Sequence, residues 1–153
     1  MNSLVLGGIL KRVYNSFSME TFENRLKLQK VIYLLQCSGV NLGYPFSWYL
    51  HGPYSPELTK DAYLIEDFSK VKKLEFEDSE IESKFKGFIE RLSNHKDDVF
   101  WLEVSASIHL LKKLYPQKSE EQVVDEIKNK GVDFRNRGDE IRKIWNEFEG
   151  WSF

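Results

Sequence analysis

The chain has 153 residues, of which 41% are hydrophobic, 30% charged and 14% aromatic, a composition that excludes a disordered tail and fits one domain with a single core. Lys plus Arg total 22 against 24 Asp plus Glu, a formal charge of −2 that argues against a protein whose main task is to coat DNA or an anionic membrane. The single cysteine, Cys37, excludes an internal disulfide framework and a cysteine-based metal site.

The expected architecture is one mainly α-helical domain spanning residues 1–153, with about six or seven helices and a small two-stranded antiparallel sheet. Leu4 to Phe17 has apolar residues at helical spacing (Leu6, Ile9, Leu10, Val13 and Phe17), although Gly7 and Gly8 weaken it. The first charges, Lys11 and Arg12, follow this apolar start, the reverse of a secretory signal, and no apolar run is long enough to span a membrane; a cytoplasmic location is expected. Thr21 caps a second helix, Phe22 to Ser38, with Gly39 just beyond it. Its middle, Val31 to Leu35, is apolar on all sides, which marks the central helix of the domain.

The period then changes. Phe46, Trp48 and Leu50 alternate with Ser47, Tyr49 and His51, which predicts a strand over 46–51 stopped by Gly52-Pro53. Ser55-Pro56-Glu57 reads as a helix start, with a hydroxyl cap, proline at the first helical position and an acid near the positive dipole end. That helix is expected to reach about Phe68, and Val71 to Phe76 to form the second strand. Four more helices follow: from a Ser79 cap to about Ser93, from Asp97 or Asp98 through Tyr115, from a Ser119–Gln122 capping box to about Gly131, and from Gly138 to Glu149. The small residues Val104-Ser-Ala-Ser107 would admit another helix closely. Trp145, Phe148, Trp151 and Phe153 either pack internally or join two copies of the chain as a homodimer.

Nothing here spells out catalysis. His51, His95 and His109 lack metal-motif spacing, and His109 reads as a hydrogen-bonded histidine in an apolar helix. Cys37, near a helix C-terminus, reads as a small buried hydrophobe, because the dipole there disfavours a thiolate. The acidic run Glu75, Glu77, Asp78 and Glu80 reads as solvated surface, and no nucleophile elbow or Gly-rich phosphate loop is present. The expectation is a non-enzyme without metal or cofactor. Two features stand above background: the aromatic density of Tyr44, Phe46, Trp48, Tyr49 and Tyr54, and the cations Arg25, Lys27 and Lys30 beside it.

Two motifs carry a resemblance. Lys27-Leu28-Gln29-Lys30-Val-Ile-Tyr-Leu-Leu-Gln36, followed by Phe46-x-Trp48-x-x-x-Gly52-Pro53-x-x-Pro56-Glu57-Leu58, resembles the Panacea antitoxin domain, which includes the SocA-like antitoxins. The turn Gly52-Pro53-Tyr54-Ser55-Pro56-Glu57-Leu58 is most similar to the YwgA-like branch, and the likeness extends over most of residues 20–149. The resemblance implies a non-catalytic module that neutralises a toxin from a neighbouring gene, or delivers it to a protease.

Physically, Leu28 should point inward, Gln29 should bond to the turn after the strand, and the lysines should flank the helix. The corner 52–58 is then either a structural joint or a contact site, and the expected partner contacts are Lys27, Lys30, Tyr49, His51 and Tyr54. The competing reading is a nucleic-acid regulator similar in outline to a winged helix, with Lys70, Lys72 and Lys73 near its two-stranded ribbon.

Overall fold

The structure, a computed structural model describing residues 3–151, is mainly helical with one small antiparallel sheet. Among the described residues the elements in chain order are α1 (Ser3–Val13), α2 (Phe22–Cys37), β1 (Ser47–Tyr49), β2 (Gly52–Tyr54) and α3 (Pro56–Tyr63), then α4 (Ser79–Leu92), α5 (Val99–Leu114), α6 (Glu120–Lys128), α7 (Val132–Arg135) and α8 (Gly138–Glu149). No helix among them is long and apolar enough to cross a membrane.

Helices α2 and α5 form the centre, pressed against each other, and the hairpin packs on both. Every residue from Leu28 to Leu35 and from Trp101 to Ile108 is buried, which is what helices apolar on all sides require. Helices α6 and α8 cover α5, and α1 packs on α3. Ile141, Ile144, Trp145 and Phe148 of α8, together with Trp151, are buried within the chain, so these aromatics pack internally; Phe153 lies outside the described residues. Four helix starts follow from local chemistry, with Thr21, Ser55, Asp98 and Ser119 each accepting from a backbone N–H of the first turn. The Ser119–Gln122 box is closed in both directions. Helix α4 is capped by Asp78 rather than Ser79.

The sheet departs from expectation. Both strands lie within 47–54, paired as Ser47↔Tyr54, Trp48↔Pro53 and Tyr49↔Gly52, so Gly52-Pro53 begins the second strand instead of ending the first. Leu50 and His51 make the turn, and Gly52, at φ 89°, supplies the left-handed residue that closes such a hairpin. A side chain at Gly52 would collide with Ser107 Oγ, so the small stretch of α5 receives the hairpin backbone at this point.

Residues 71–76 form no strand. Leu74 N–H donates to the Gly8 carbonyl (3.1 Å), Arg12 Nη1 donates to the Leu74 carbonyl (3.0 Å), and Arg12 also grips Glu82, whose Oε1 accepts from Phe76 N–H (2.9 Å). Helix α1 thus takes the Leu74 N–H and carbonyl, and Glu82 of α4 the Phe76 N–H, groups that a ladder would have used. Helix α3 also stops early, at Tyr63, and a single 3₁₀ turn, Phe68–Lys70, follows; Asp67 accepts from Ser69 N–H and Oγ there, a local alternative to continued helix. The short α7 has no counterpart in the sequence reading.

Gly7 and Gly8, which weaken α1 in isolation, let the 71–76 segment lie against it. A Cβ at Gly8 would sit 2.7 Å from Leu74 Cβ and 3.1 Å from both Leu74 N and Lys72 O, whereas one at Gly7 would meet mainly the Val71 side chain. Gly8→Ala is therefore expected to destabilise the fold by about 1–3 kcal/mol. Gly7→Ala should cost clearly less: both changes gain about 1 kcal/mol in helix propensity, but at Gly7 the new Cβ crowds side chains that can shift rather than backbone. Urea denaturation of the two variants measures the difference.

Candidate functional site

The site is built from one turn of α2. Gln29 is 3% exposed, and its carboxamide reads the backbone of Ser55 in both directions: Oε1 accepts from Ser55 N–H (2.8 Å) and Nε2 donates to the Ser55 carbonyl (3.0 Å). The second Nε2 hydrogen reaches Thr59 Oγ1 (2.8 Å). A glutamine side chain here does the work of a neighbouring strand for the buried Ser55 N–H, while the Ser55 carbonyl also accepts the Thr59 N–H as the first bond of α3. Ser55, itself fully buried, is left to cap α3 through its hydroxyl, with Pro56 at the first helical position. Thr59 in turn donates to Tyr54 Oη (3.2 Å). Leu28 is fully buried beside this clamp, as its inward position on the helix requires.

Lys30 is the residue that the sequence misplaces most. It was expected on the surface as a partner contact; it is instead 1% exposed, with Nζ donating to the Pro53 carbonyl at 2.6 Å. Pro53 stands opposite Trp48 in the hairpin, and its carbonyl is turned to the lysine. Burial holds the Lys30 ammonium down at about 7; the Glu103 carboxylate opposes the shift and the Lys130 charge adds to it. An amine donates to Pro53 in either protonation state, so the joint persists when the charge is lost.

Beneath the hairpin lies a second group that the sequence reading missed. Glu103 Oε2 pairs with Lys130 Nζ at 2.5 Å, both side chains almost wholly buried, and Lys130 also donates to Ser107 Oγ (3.3 Å). The Lys130 ammonium lies over the rings of Trp48 (5.4 Å) and Phe134 (5.1 Å). On the other oxygen, Glu103 Oε1 is 3.6 Å from His51 Nδ1. The one available clue was a glutamate inside the apolar run Trp101-Leu102-Glu103-Val104, since a charge there must find a partner.

The remaining contact candidates separate. Tyr49 (55% exposed), His51 and the half-buried Tyr54 share the hairpin, with the Tyr49 and Tyr54 rings 5.6 Å apart. Lys27 stands apart from them, its side chain mostly covered and paired with Asp97 at 3.3 Å. Two neighbours join the hairpin face without having been singled out: Leu50 at the turn, 73% exposed, and Phe22 at the start of α2, whose ring is 5.0 Å from His51. Trp48 is half-buried, and Pro56 and Glu57 are exposed at the mouth of α3. Lys70, Lys72 and Lys73 belong to the 3₁₀ turn and the 71–76 segment, and the ribbon itself, 47–54, carries no lysine or arginine.

The other reactive residue types are quiet. His95 stacks on Trp101 at 3.9 Å, and His109 Nδ1 lies 2.7 Å from Tyr33 Oη. Cys37 is half-buried, and burial pushes its thiol up to about 11. Among the described residues no three His, Cys, Asp or Glu side chains gather as a metal site. Comparison with known protein families, curated proteins and solved structures finds no match to this chain.

Two measurements test the joint. Gln29→Met keeps the volume but strands the Ser55 N–H and leaves the Ser55 carbonyl only the Thr59 N–H, and should cost about 1–3 kcal/mol in urea unfolding. For Lys30, the folded value near 7 lies below the ordinary 10.5, so the unfolded chain binds the extra proton between those values. Stability from this group is therefore lowest below pH 7 and rises as pH climbs toward 10.5. The unfolding free energy of the native chain minus that of Lys30→Met should rise steadily from pH 7 to 9.5; a flat difference contradicts the assignment.

Proposed function

We propose that the chain is a non-catalytic protein-binding module of the antitoxin-like kind that its resemblance to the Panacea domain implies, acting in the cytoplasm on a partner protein from a neighbouring gene. One observation carries this reading: an apolar hairpin tip, Tyr49 and Leu50, stands exposed at 55% and 73% on a base fastened by buried bonds from Gln29 and Lys30. Aromatic and aliphatic anchors on a rigid mount favour association, because little conformational freedom is lost when they are covered. Phe22 and His51 widen the same face beside the tip. The partner contacts in this reading are Tyr49, Leu50, His51, Tyr54 and Phe22. Lys30, Gln29, Gly52 and Pro53 are the mount.

The test is co-expression with the neighbouring gene's product. The native chain should relieve that product's toxicity and co-purify with it. The double variant Tyr49→Ser, Leu50→Ser should weaken the complex at least about 30-fold, the equivalent of about 2 kcal/mol, with an unchanged melting temperature. A neighbouring product that is harmless alone and does not bind the chain would contradict the proposal, as would full neutralisation by the double variant.

A further inference from the structure

Helices α2, α5 and α8, with the loop before β1, enclose an open cleft of about 1020 Å³, a size suited to a small molecule. It is separate from the hairpin tip, sharing neither Tyr49 nor Leu50. Phe46, half-buried, and the edges of the largely buried Trp145 and Phe148 contribute aromatic surface to its lining. Its polar lining, beside Gln36, Asn41 and Tyr44, includes a tight group on two helices: Tyr33 Oη at 2.7 Å and Cys37 Sγ at 3.4 Å from the same nitrogen, Nδ1 of His109.

These groups are neutral at ordinary pH. Burial raises the Tyr33 phenol and lifts the Cys37 thiol to about 11, while it lowers the His109 imidazole to about 4, helped by the charges of Lys113 and Lys112. Charge enters only at the rim. Lys112 and Lys113 are exposed there, and Glu149, the one acid among the described residues of the lining, accepts from the Trp145 indole N–H (2.7 Å). Lys112 Nζ also stands over the Trp145 ring at 4.8 Å. Among the described residues the lining therefore offers aromatic edges, an uncharged polar floor and two cations against one anion, an arrangement that discriminates by ring shape and by charge.

We propose that this cleft binds a small planar aromatic anion, its ring between Phe46, Trp145 and Phe148 and its negative group toward Lys112 and Lys113. Titration of the full chain with 2-naphthoate, followed by NMR of the Trp145 indole and the His109 ring, tests it. The expected dissociation constant is roughly millimolar, as ~0.3 kcal/mol per heavy atom gives for a probe of this size. The neutral 2-naphthamide should bind about tenfold more weakly, and added salt should weaken the naphthoate alone. Lys113→Glu, a change at an exposed position, should reduce naphthoate binding at least about tenfold with an unchanged circular dichroism spectrum. Absence of shifts at Trp145 and His109, equal binding of the amide, or naphthoate binding that ignores both salt and Lys113→Glu would overturn the proposal.

Discussion

The structure depends on a side chain standing in for a strand. Ser55 follows a hairpin that has no third strand among the described residues, yet it is fully buried; α3 supplies its carbonyl with the Thr59 N–H, but its own N–H would be left without a partner, at a cost of about 1–3 kcal/mol. Gln29, projecting from the most enclosed helix of the domain, accepts that N–H and gives the carbonyl a second donor with one planar group. Its neighbour Lys30 takes the Pro53 carbonyl two residues earlier. A single turn of α2 thus fastens the end of the hairpin and the start of α3, and the chain direction between them follows from Gly52, Pro53 and the Ser55 cap.

The buried charges belong to the same economy of backbone groups. Removing Glu103 and Lys130 from water is expensive, and such a pair gains stability only when its remaining hydrogen-bonding capacity is used. Here Lys130 also reaches Ser107 and two aromatic faces, and Glu103 faces His51 on its other oxygen. The pair sits where α5, the end of α6 and the hairpin converge. It therefore ties the register of three elements, and cutting either side chain leaves the other charge uncompensated. A hydrophobic pair of equal volume would fill the space without fixing how the hairpin sits on α5.

What the sequence revealed and what it hid divide along a physical line. Caps are local: Thr21, Ser55, Asp98 and Ser119 are each followed by the N–H they satisfy within three residues, so spacing locates Thr21, Ser55 and Ser119 and places the others to within a residue, with Asp97 or Asp98 left open and Ser79 read for Asp78. The enclosure of α2 was legible too, because a helix apolar all round has nowhere else to lie. The union of Gln29 with the 52–58 turn followed from the motif. Residues 71–76 were misread because alternation describes a strand without a partner in view, and the partner here is the Gly8 carbonyl and the Arg12 side chain, more than 60 residues away. Lys30 was misread because lysine is almost always exposed, and only the distant Pro53 carbonyl explains its burial. The exposed tip was half legible: Tyr49 and His51 stood out by type, whereas Leu50 and Phe22 matter only once the hairpin turns and brings them to its outer face.

The central claim is that the carboxamide of Gln29 holds the Ser55 backbone inside the folded domain. Native-state hydrogen exchange at the Ser55 amide addresses it directly, since that hydrogen is the one given to Gln29. The structure requires exchange as slow as that of Ile32 or Leu34 in the heart of α2, released only by global unfolding. An amide at Ser55 that exchanges at the rate of an open turn, while α2 stays protected, would contradict it.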